Sequence, residues 1–207
     1  MYIRNEDTIY APATVPGTGA ISVIRVSGPE ALTIADKVIT CRKGPISEAK
    51  GYTIRFGTVS DADGRLIDEV LASVFRAPHS YTGEDSVEIS CHASSYIVSE
   101  LMTMLHEAGA RAAEPGEFTQ RAYLNGKMDL AQAEAVADVI SSQNAAAHRI
   151  AFNQMKGGFS SELRDMRKEL LELVSLMELE LDFSEEEVEF ADRSRLDNLL
   201  VEIISHV

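Results

Sequence analysis

The first half of the chain alternates short strand-like patterns with helical ones. Residues 19–28 (GAISVIRVSG) are apolar at nearly every position, which predicts a strand buried on both faces. Residues 52–77 contain two β-rich runs around Asp61-Ala-Asp-Gly64, which predicts a hairpin, and residues 84–94 predict a further alternating strand. Helical spacing follows Pro29 and recurs over 95–109. Because the two periods are interleaved irregularly, the pattern favours an α+β fold.

The strand signals stop after Asp129, and only helical spacing remains. We expect one helix from Asp129 to about Lys156, ended by Gly157-Gly158, and a second from about Ser161 to Asp182. The second carries a bundle-type apolar seam of Leu163, Met166, Leu170, Leu173, Met177 and Leu181. A third helix is expected after the acidic run 182–192, and its apolar stripe reaches Val207 without a cap. We therefore expect the chain to be a fragment cut within or just after a helix.

Residues 115–140 join a Pro-Gly turn, a short amphipathic helix, an Asn-Gly break and an alanine-rich helix. Asp129 is the expected N-cap of the alanine-rich helix, with Gln132 three residues later closing a capping box. Lys127 then lies on the break, just outside a helix N-terminus. An anionic ligand is favoured at such a position, since the end of the helix dipole is positive.

Charge and composition restrict the partners of this chain. The 207 residues carry a net charge of −14, so we expect the chain alone to bind nucleic acid poorly. The sequence contains neither an apolar run of about 20 residues for a membrane span nor a signal-peptide core. Cys41 and Cys91 lack zinc-type spacing and a disulfide framework. These features predict a cytoplasmic protein that does not associate with membranes.

Arg25 is the first candidate for binding chemistry. It interrupts an apolar strand and, by alternation, points to the same side as Ile21 and Val23. A guanidinium in such a run requires a partner, because burying it unpaired is prohibitive. Two interpretations stay open: a structural ion pair with a core carboxylate, or an anchor for a carboxylate or carbonyl of a ligand.

Glu88 and Lys127 are the other two candidates. Glu88 alternates with Val87 and Ile89, so it faces away from the apolar side, where a strand glutamate is commonly just solvated. However, the turn Thr82-Gly-Glu-Asp85 leads into this strand and would border a pocket. A carboxylate there can accept two parallel hydrogen bonds from a heterocycle with an amino group beside a ring N–H. Lys127 is either such a ligand contact or an ordinary surface lysine.

Other motifs give weaker signals. His92 beside Cys91 is interpreted as a core or pocket-wall residue rather than a metal ligand, and the acidic run lacks an EF-hand pattern. Gly126-Lys127 does not form a phosphate loop, since the required glycine five residues earlier is Arg121 and Met128 follows. The sequence therefore predicts no nucleoside triphosphate site, no metal site and no catalytic residue within this chain.

Several long motifs resemble one protein family in the same order along the chain. They are APATVPGTGAISVIRVSG (11–28), APHSYTGEDSVEI (77–89), PGEFTQRAYLNGKMDLAQAEAVADVI (115–140) and LDFSEEEVEF (181–190). Together they resemble the N-terminal region of the MnmE (TrmE) tRNA-modification GTPases. The resemblance covers essentially the whole chain.

The resemblance implies a fold and a division into domains. Residues 1–118 would form an aminomethyltransferase-like domain for folate binding and dimerisation, and residues 119–207 the first part of a helical bundle. In such proteins a GTPase domain is inserted later, and its GTP, Mg²⁺ and K⁺ sites would be absent here. Arg25, Glu88 and Lys127 occupy the motif positions that contact the reduced folate, either 5-formyltetrahydrofolate or methylenetetrahydrofolate.

The resemblance also implies a function. Such proteins act as homodimers with MnmG, an FAD-dependent partner, and add an aminomethyl-type group to C5 of the wobble uridine of tRNA. The chain departs from the family pattern at His92-Ala-Ser94, where His-Gly-Gly is common, and at Gly17-Thr-Gly19, where Gly-Arg-Gly is common. Two alternatives stay open: a free-standing folate-dependent aminomethyltransferase, and a dimerisation module without folate binding.

Overall fold

The computed structural model describes residues 6–182 together with Val201 and Ile204. The chain divides into two compact units, residues 1–128 and 129–207, and each is considered by itself. The domain boundary expected at 118/119 stays a prediction. The division between the two compact units falls after Met128. The acidic run and most of the expected third helix lie outside the described residues.

The first unit is built on a seven-stranded mixed sheet with the order β3-β4-β5-β6-β2-β1-β7. All neighbouring strands are antiparallel except β1 and β7, which are parallel. The α+β class expected from the sequence is therefore confirmed. The strands are β1 (Ile9–Pro12), β2 (Ile21–Ser27), β3 (Thr40–Cys41), β4 (Thr53–Ser60), β5 (Leu66–Phe75), β6 (Ser86–His92) and β7 (Arg111–Ala112).

The predicted hairpin is confirmed as β4 and β5. Asp61 forms the turn between them, because its Oδ1 accepts the backbone N–H groups of Asp63 and Arg65 at 3.0 and 2.8 Å. Gly64 has a φ of +79°, a conformation that glycine adopts at no steric cost. The Asp-Ala-Asp-Gly signal thus acts through local backbone geometry.

One face of the sheet carries the core. The helices α1 (Ala31–Val38) and α2 (Ser95–Glu107) contribute apolar side chains that pack there with those of the strands. Ile24 and Val26 of β2 are fully buried, whereas Ile21 of the same strand is 67% exposed. The expectation that β2 is buried on both faces is therefore wrong for the described residues, because both helices with core side chains serve only one face.

The opposite surface of the sheet is here called the open face. It is defined by two rows of side chains that run across β4, β5, β6 and β2 in register. One row is Ile54, Ser73, Glu88 and Arg25, and the other is Phe56, Leu71, Ser90 and Val23. A third helix of this unit, α3 (Glu117–Leu124), follows β7.

The second unit is helical, as expected, in its described part. Asp129 caps α4 (Leu130–Ser141) with the complete capping box, which confirms that local prediction. The single helix expected as far as Lys156 is wrong, because the chain breaks between α4 and α5 (Ala145–Met155). Ser142 is extended at the break, and Asn144 restarts the helix by accepting the N–H of Ala147 at 2.9 Å.

The last described helix, α6 (Gly158–Asp182), corresponds to the second predicted helix. Its predicted seam is only partly covered within the described residues, since Leu163, Leu170 and Met177 are between 43% and 50% exposed. In the described part of the chain, no helix is long and apolar enough to cross a membrane.

Candidate functional site

Arg25 and Glu88 are direct neighbours across β2 and β6. Arg25 donates from Nε and Nη2 to Oε1 of Glu88 at 2.9 and 2.8 Å. Both side chains lie on the open face because Ile24 and Ile89 beside them point into the core. With side-chain exposures of 24% and 29%, the ion pair is shielded but still accessible to a ligand. Arg25 is therefore in an ion pair, as the first interpretation expected, but its partner is the candidate residue Glu88 on the open face and not a core carboxylate.

Two aromatic rings flank the guanidinium of Arg25. Its Cζ lies 4.8 Å from the ring centroid of Tyr81 and 5.5 Å from that of Phe118. Both distances are within cation–π range. Sequence reasoning missed these rings, because Tyr81 comes from the loop before β6 and Phe118 from α3, and no local pattern relates either to β2.

Lys127 is connected to the same loop. Its Nζ donates to the carbonyl oxygen of Pro78 at 2.9 Å, and its own backbone N–H donates to Ala122 at 2.8 Å. Its ammonium group is thus held by the segment that carries Tyr81 rather than by Glu88. The structure brings Arg25 and Glu88 into contact and joins Lys127 to them through this segment.

The segment from Pro78 to Asp85 is here called the site loop. Gly83 at its tip has a φ of +81°, and a Cβ there would lie 3.2 Å from Asn125 Cβ and from Lys127 Cγ. The turn Thr82–Asp85, which was predicted to border a pocket, lines a pocket with a volume of about 410 Å³. The residues that line it are Pro29, Ala77, Gly83, Glu84, Asp85 and Asn125.

Glu84 of the site loop belongs to a network of charged side chains around the fully buried Arg121. Arg121 donates to Asp7 Oδ1 at 2.5 Å, to Glu117 Oε1 at 3.1 Å and to Glu84 Oε1 at 3.3 Å. Arg111 joins the network at its exposed edge through Asp7 and Glu117. Sequence reasoning considered Arg121 only as a misplaced P-loop residue; its position on the same helical face as Glu117 was the available signal.

The arginines of this network change the titration of its carboxylates. Burial raises the pKa of Glu117, but hydrogen bonds from Arg111, the Glu114 backbone and Arg121 outweigh it and leave that pKa below its usual value. Asp7 behaves in the same way: burial raises its pKa, and the hydrogen bonds and charges of Arg111 and Arg121 lower it further than burial raises it. Both carboxylates are therefore held in their charged form.

A separate polar contact joins His92 of β6 to the buried Asp68 of β5, whose Nδ1 and Oδ1 atoms, respectively, are 2.6 Å apart. His92 lies at the wall of a cleft of about 440 Å³, with its side chain 71% exposed. It is therefore a pocket-wall residue and not a core residue. Cys91 is buried, and burial raises the pKa of its thiol to about 11, so it is protonated at neutral pH. Among the described residues, no group of three or more His, Cys, Asp or Glu side chains is arranged to hold a metal ion.

The geometry around Arg25 suits a flat, partly charged ligand. Tyr81 and Phe118 provide apolar ring surfaces, and Glu88 Oε1 accepts two N–H groups that belong to one guanidinium. A 2-amino heterocycle with an adjacent ring N–H presents the same pair of donors. The cations Arg25 and Lys127 would favour carbonyl or carboxylate oxygens on the remainder of such a ligand.

Comparison with known proteins gives consistent results over the length of the chain. A family model described as "GTP-binding protein TrmE N-terminus" matches residues 8–127, and one described as "MnmE helical domain" matches residues 130–207. Curated relatives named tRNA modification GTPase MnmE include one from Bacteroides fragilis (strain YCH46), 60% identical over 96% of this chain. Another, from Flavobacterium johnsoniae, is 54% identical over 95% of it.

The chain spans 43% of the length of the Bacteroides relative and 42% of the Flavobacterium one. The first family match alone covers more than half of the present chain, and the second begins three residues after the first ends. Both descriptions refer to consecutive parts of one kind of protein. The chain therefore belongs to the MnmE family, also called TrmE.

Proposed function

We propose that this chain is the part of a tRNA modification GTPase that binds a reduced folate and forms a homodimer. The ligand is 5-formyltetrahydrofolate or methylenetetrahydrofolate, and Arg25, Glu88 and Lys127 contact it. The whole protein would bind GTP, Mg²⁺ and K⁺ outside the described residues. With MnmG it would add an aminomethyl-type group to C5 of the wobble uridine of tRNA.

The observation that carries this proposal is the Arg25–Glu88 pair, with Tyr81 and Phe118 beside the guanidinium of Arg25. A pterin presents its 2-amino group and a ring N–H on one edge, in the donor arrangement that Arg25 already presents to Glu88. Folate binding would therefore require Glu88 to exchange the guanidinium for the pterin or to share its second oxygen. Arg25 and Lys127 would then meet the carbonyl and carboxylate oxygens of the folate.

Titration calorimetry of the 207-residue chain with 5-formyltetrahydrofolate tests the folate proposal directly. We expect saturable binding of one folate per chain, weakened when Glu88 is replaced. A chain that unfolds cooperatively but shows no saturable heat with either reduced folate would contradict the proposal. That result would favour the dimerisation module without folate binding.

The proposed homodimer uses the open face. Ile21, Ile54, Phe56 and Leu71 are between 41% and 67% exposed there, and the last three are neighbours in the two rows. Contiguous apolar side chains of this size are typical of surfaces that bury themselves against another protein. A second copy of the chain is the occupant that the family resemblance implies.

Light scattering tests the dimer. We expect the chain to have the mass of two copies and Phe56→Glu to shift it to one copy. Tyr96→Glu is the matched control, since Tyr96 is 59% exposed on α2, which supplies core side chains for the other face of the sheet. If Phe56→Glu remained dimeric, the open face would not be the interface.

A further inference from the structure

The site loop is fastened to α3 and to the residues that immediately follow it. Tyr81 Oη and Thr119 Oγ1 are 2.8 Å apart, and Asn125 Nδ2 donates to the carbonyl oxygen of Thr82 at 2.7 Å. Each of these contacts joins the loop to a different turn of the same helical segment. The loop and α3 therefore hold each other, and each supplies one of the two rings at Arg25.

The charged contact in this set is the one between Glu84 and Arg121. Glu84 is only 12% exposed, and Arg121 lies 3.3 Å from its Oε1. Oε2 of Glu84 also accepts the hydroxyl of Ser27 at 2.9 Å, and Ser27 lies two residues after Arg25 in β2. A single, largely shielded carboxylate thus joins the end of β2, the site loop and α3.

We infer that Arg121 and Glu84 are positioning residues for the Arg25–Glu88 site, an inference that rests on the proposed folate function. Neither side chain is required to touch the ligand. Their ion pair determines how far the site loop stands from α3, and so where Tyr81 and Phe118 lie around the guanidinium of Arg25. The position of the Lys127 ammonium group depends on the loop as well, because it donates a hydrogen bond to the carbonyl oxygen of Pro78 at the start of the loop.

Chemical type matters at both positions. The guanidinium of Arg121 has five N–H donors in a fixed plane and reaches three carboxylates and the carbonyl oxygen of Asp7. A lysine is a point charge with three donors and cannot satisfy the same acceptors in the same plane. Glutamine at position 84 keeps the shape of the side chain but removes the negative charge that attracts Arg121.

Arg111 provides a matched control within the same network. It donates to Asp7 and Glu117 at distances between 2.6 and 3.1 Å, and it is 43% exposed. Its hydrogen bonds among the described residues go to Asp7, Ala112 and Glu117, and these lie outside the site loop. Arg111→Lys therefore perturbs the network and the stability of the fold without acting on the position of the loop.

The experiment compares Arg121→Lys, Glu84→Gln and Arg111→Lys in the full 207-residue chain. The first readout is the NMR resonance of the Arg25 Nε–H group in the absence of ligand, assigned by its loss in Arg25→Lys. This proton lies near two aromatic rings, so its chemical shift reports their positions. The second readout is the calorimetric Kd for 5-formyltetrahydrofolate.

We expect Arg121→Lys and Glu84→Gln to shift the Arg25 resonance and to raise the Kd roughly tenfold, about the loss of one charge-assisted hydrogen bond. Arg111→Lys should lower the melting temperature and leave both readouts unchanged. The inference is overturned if the first two variants fold and keep both readouts, or if Arg111→Lys moves them equally. Should Arg121→Lys not fold, Glu84→Gln alone decides.

The resonance separates this inference from the proposed function. A wild-type chain that binds no folate would refute the proposed function, whereas the shift of the Arg25 resonance would still report whether Arg121 and Glu84 position the rings. Conversely, folate binding with an unmoved resonance in both variants would retain the proposed function and refute the positioning role.

Discussion

Arg25 and Glu88 are 63 residues apart in sequence, yet they are Cα partners on adjacent strands and share a two-donor contact to a single carboxylate oxygen. The relationship depends on register. A slip of one residue between β2 and β6 would send one side chain of the pair into the core. The ion pair and the buried neighbours Ile24 and Ile89 therefore select the same alignment.

Replacement of Glu88 by Gln should weaken binding of 5-formyltetrahydrofolate by about tenfold or more, because a charge-assisted hydrogen bond contributes roughly 1.5–3 kcal/mol. Titration calorimetry measures the change. Glu107→Gln is the control, since Glu107 is an exposed carboxylate at the end of α2. Equal affinities in wild type and Glu88→Gln would remove Glu88 from the site.

Replacement of Lys127 by Ala should raise the Kd for the same folate by about two- to fivefold at low salt, as expected for an exposed charge. The difference should shrink as ionic strength rises, because salt screens the attraction between exposed charges. Lys50→Ala is the control, since the Lys50 side chain is also exposed. If both variants had the same affinity across a salt series, Lys127 would be an ordinary surface lysine.

Gly83→Ala should cost about 1–2 kcal/mol in the free energy of unfolding, since a non-glycine residue at φ +81° is strained. It should also weaken folate binding, because the new Cβ would lie 3.2 Å from Lys127 Cγ. Gly64→Ala is a matched control with φ +79° and no atom within 4 Å of the added Cβ. Urea denaturation and calorimetry together separate strain from crowding, and equal folate affinities in the two variants would contradict the crowding argument.

Acid should destabilise the first unit through Asp7 and Glu117. Their pKa values in the folded protein are below the ordinary values of 3.8 and 4.5, so their contribution to stability is present above those values. It is lost as pH falls below about 4.5 and through the lower pKa values of the folded state. Urea denaturation between pH 6 and pH 3 measures this loss.

Asp7→Asn and Glu117→Gln should each reduce the pH dependence of the free energy of unfolding in that range. Each variant removes one carboxylate that the folded state holds charged beside Arg111 and Arg121. Glu107→Gln should keep the wild-type dependence. A wild-type slope in both network variants would show that the network does not carry the acid sensitivity.

Local signals in the sequence were sufficient for much of the fold. The hairpin follows from the Asp61–Gly64 turn between two alternating runs, and the start of α4 follows from Asp129 and Gln132. Both depend on hydrogen bonds between residues within four positions of one another, so the sequence is enough to predict them. The break between α4 and α5 also has a local cause, because Asn144 is the N-cap of α5, and this signal in the sequence was overlooked.

Other features needed the assembled sheet. Side-chain alternation predicted that Glu88 lies off the apolar side of its strand, but for Arg25 it predicted only a shared side with Ile21 and Val23. It did not predict that Arg25 and Glu88 face each other. The prediction that β2 is buried on both faces was wrong, because an apolar run in the sequence does not reveal which faces of the strand are covered by other elements. The spacing of Arg121 and Glu117 indicated a local ion pair but not its burial, since the other two carboxylate acceptors of Arg121, Asp7 and Glu84, are 114 and 37 residues away.

The amino-acid sequence by itself determined the α+β class and the capped helix after Lys127, and it indicated Arg25, Glu88 and Lys127 as candidates for binding. Only the tertiary structure decided that two of these residues are paired, that Tyr81 and Phe118 lie within cation–π range of the guanidinium, and that a buried arginine pairs with Glu84 of the site loop. The physical reason is range: turns and caps form between neighbours in the chain. Register, ring stacking and the pairing of buried charges exist only once distant segments have been packed together.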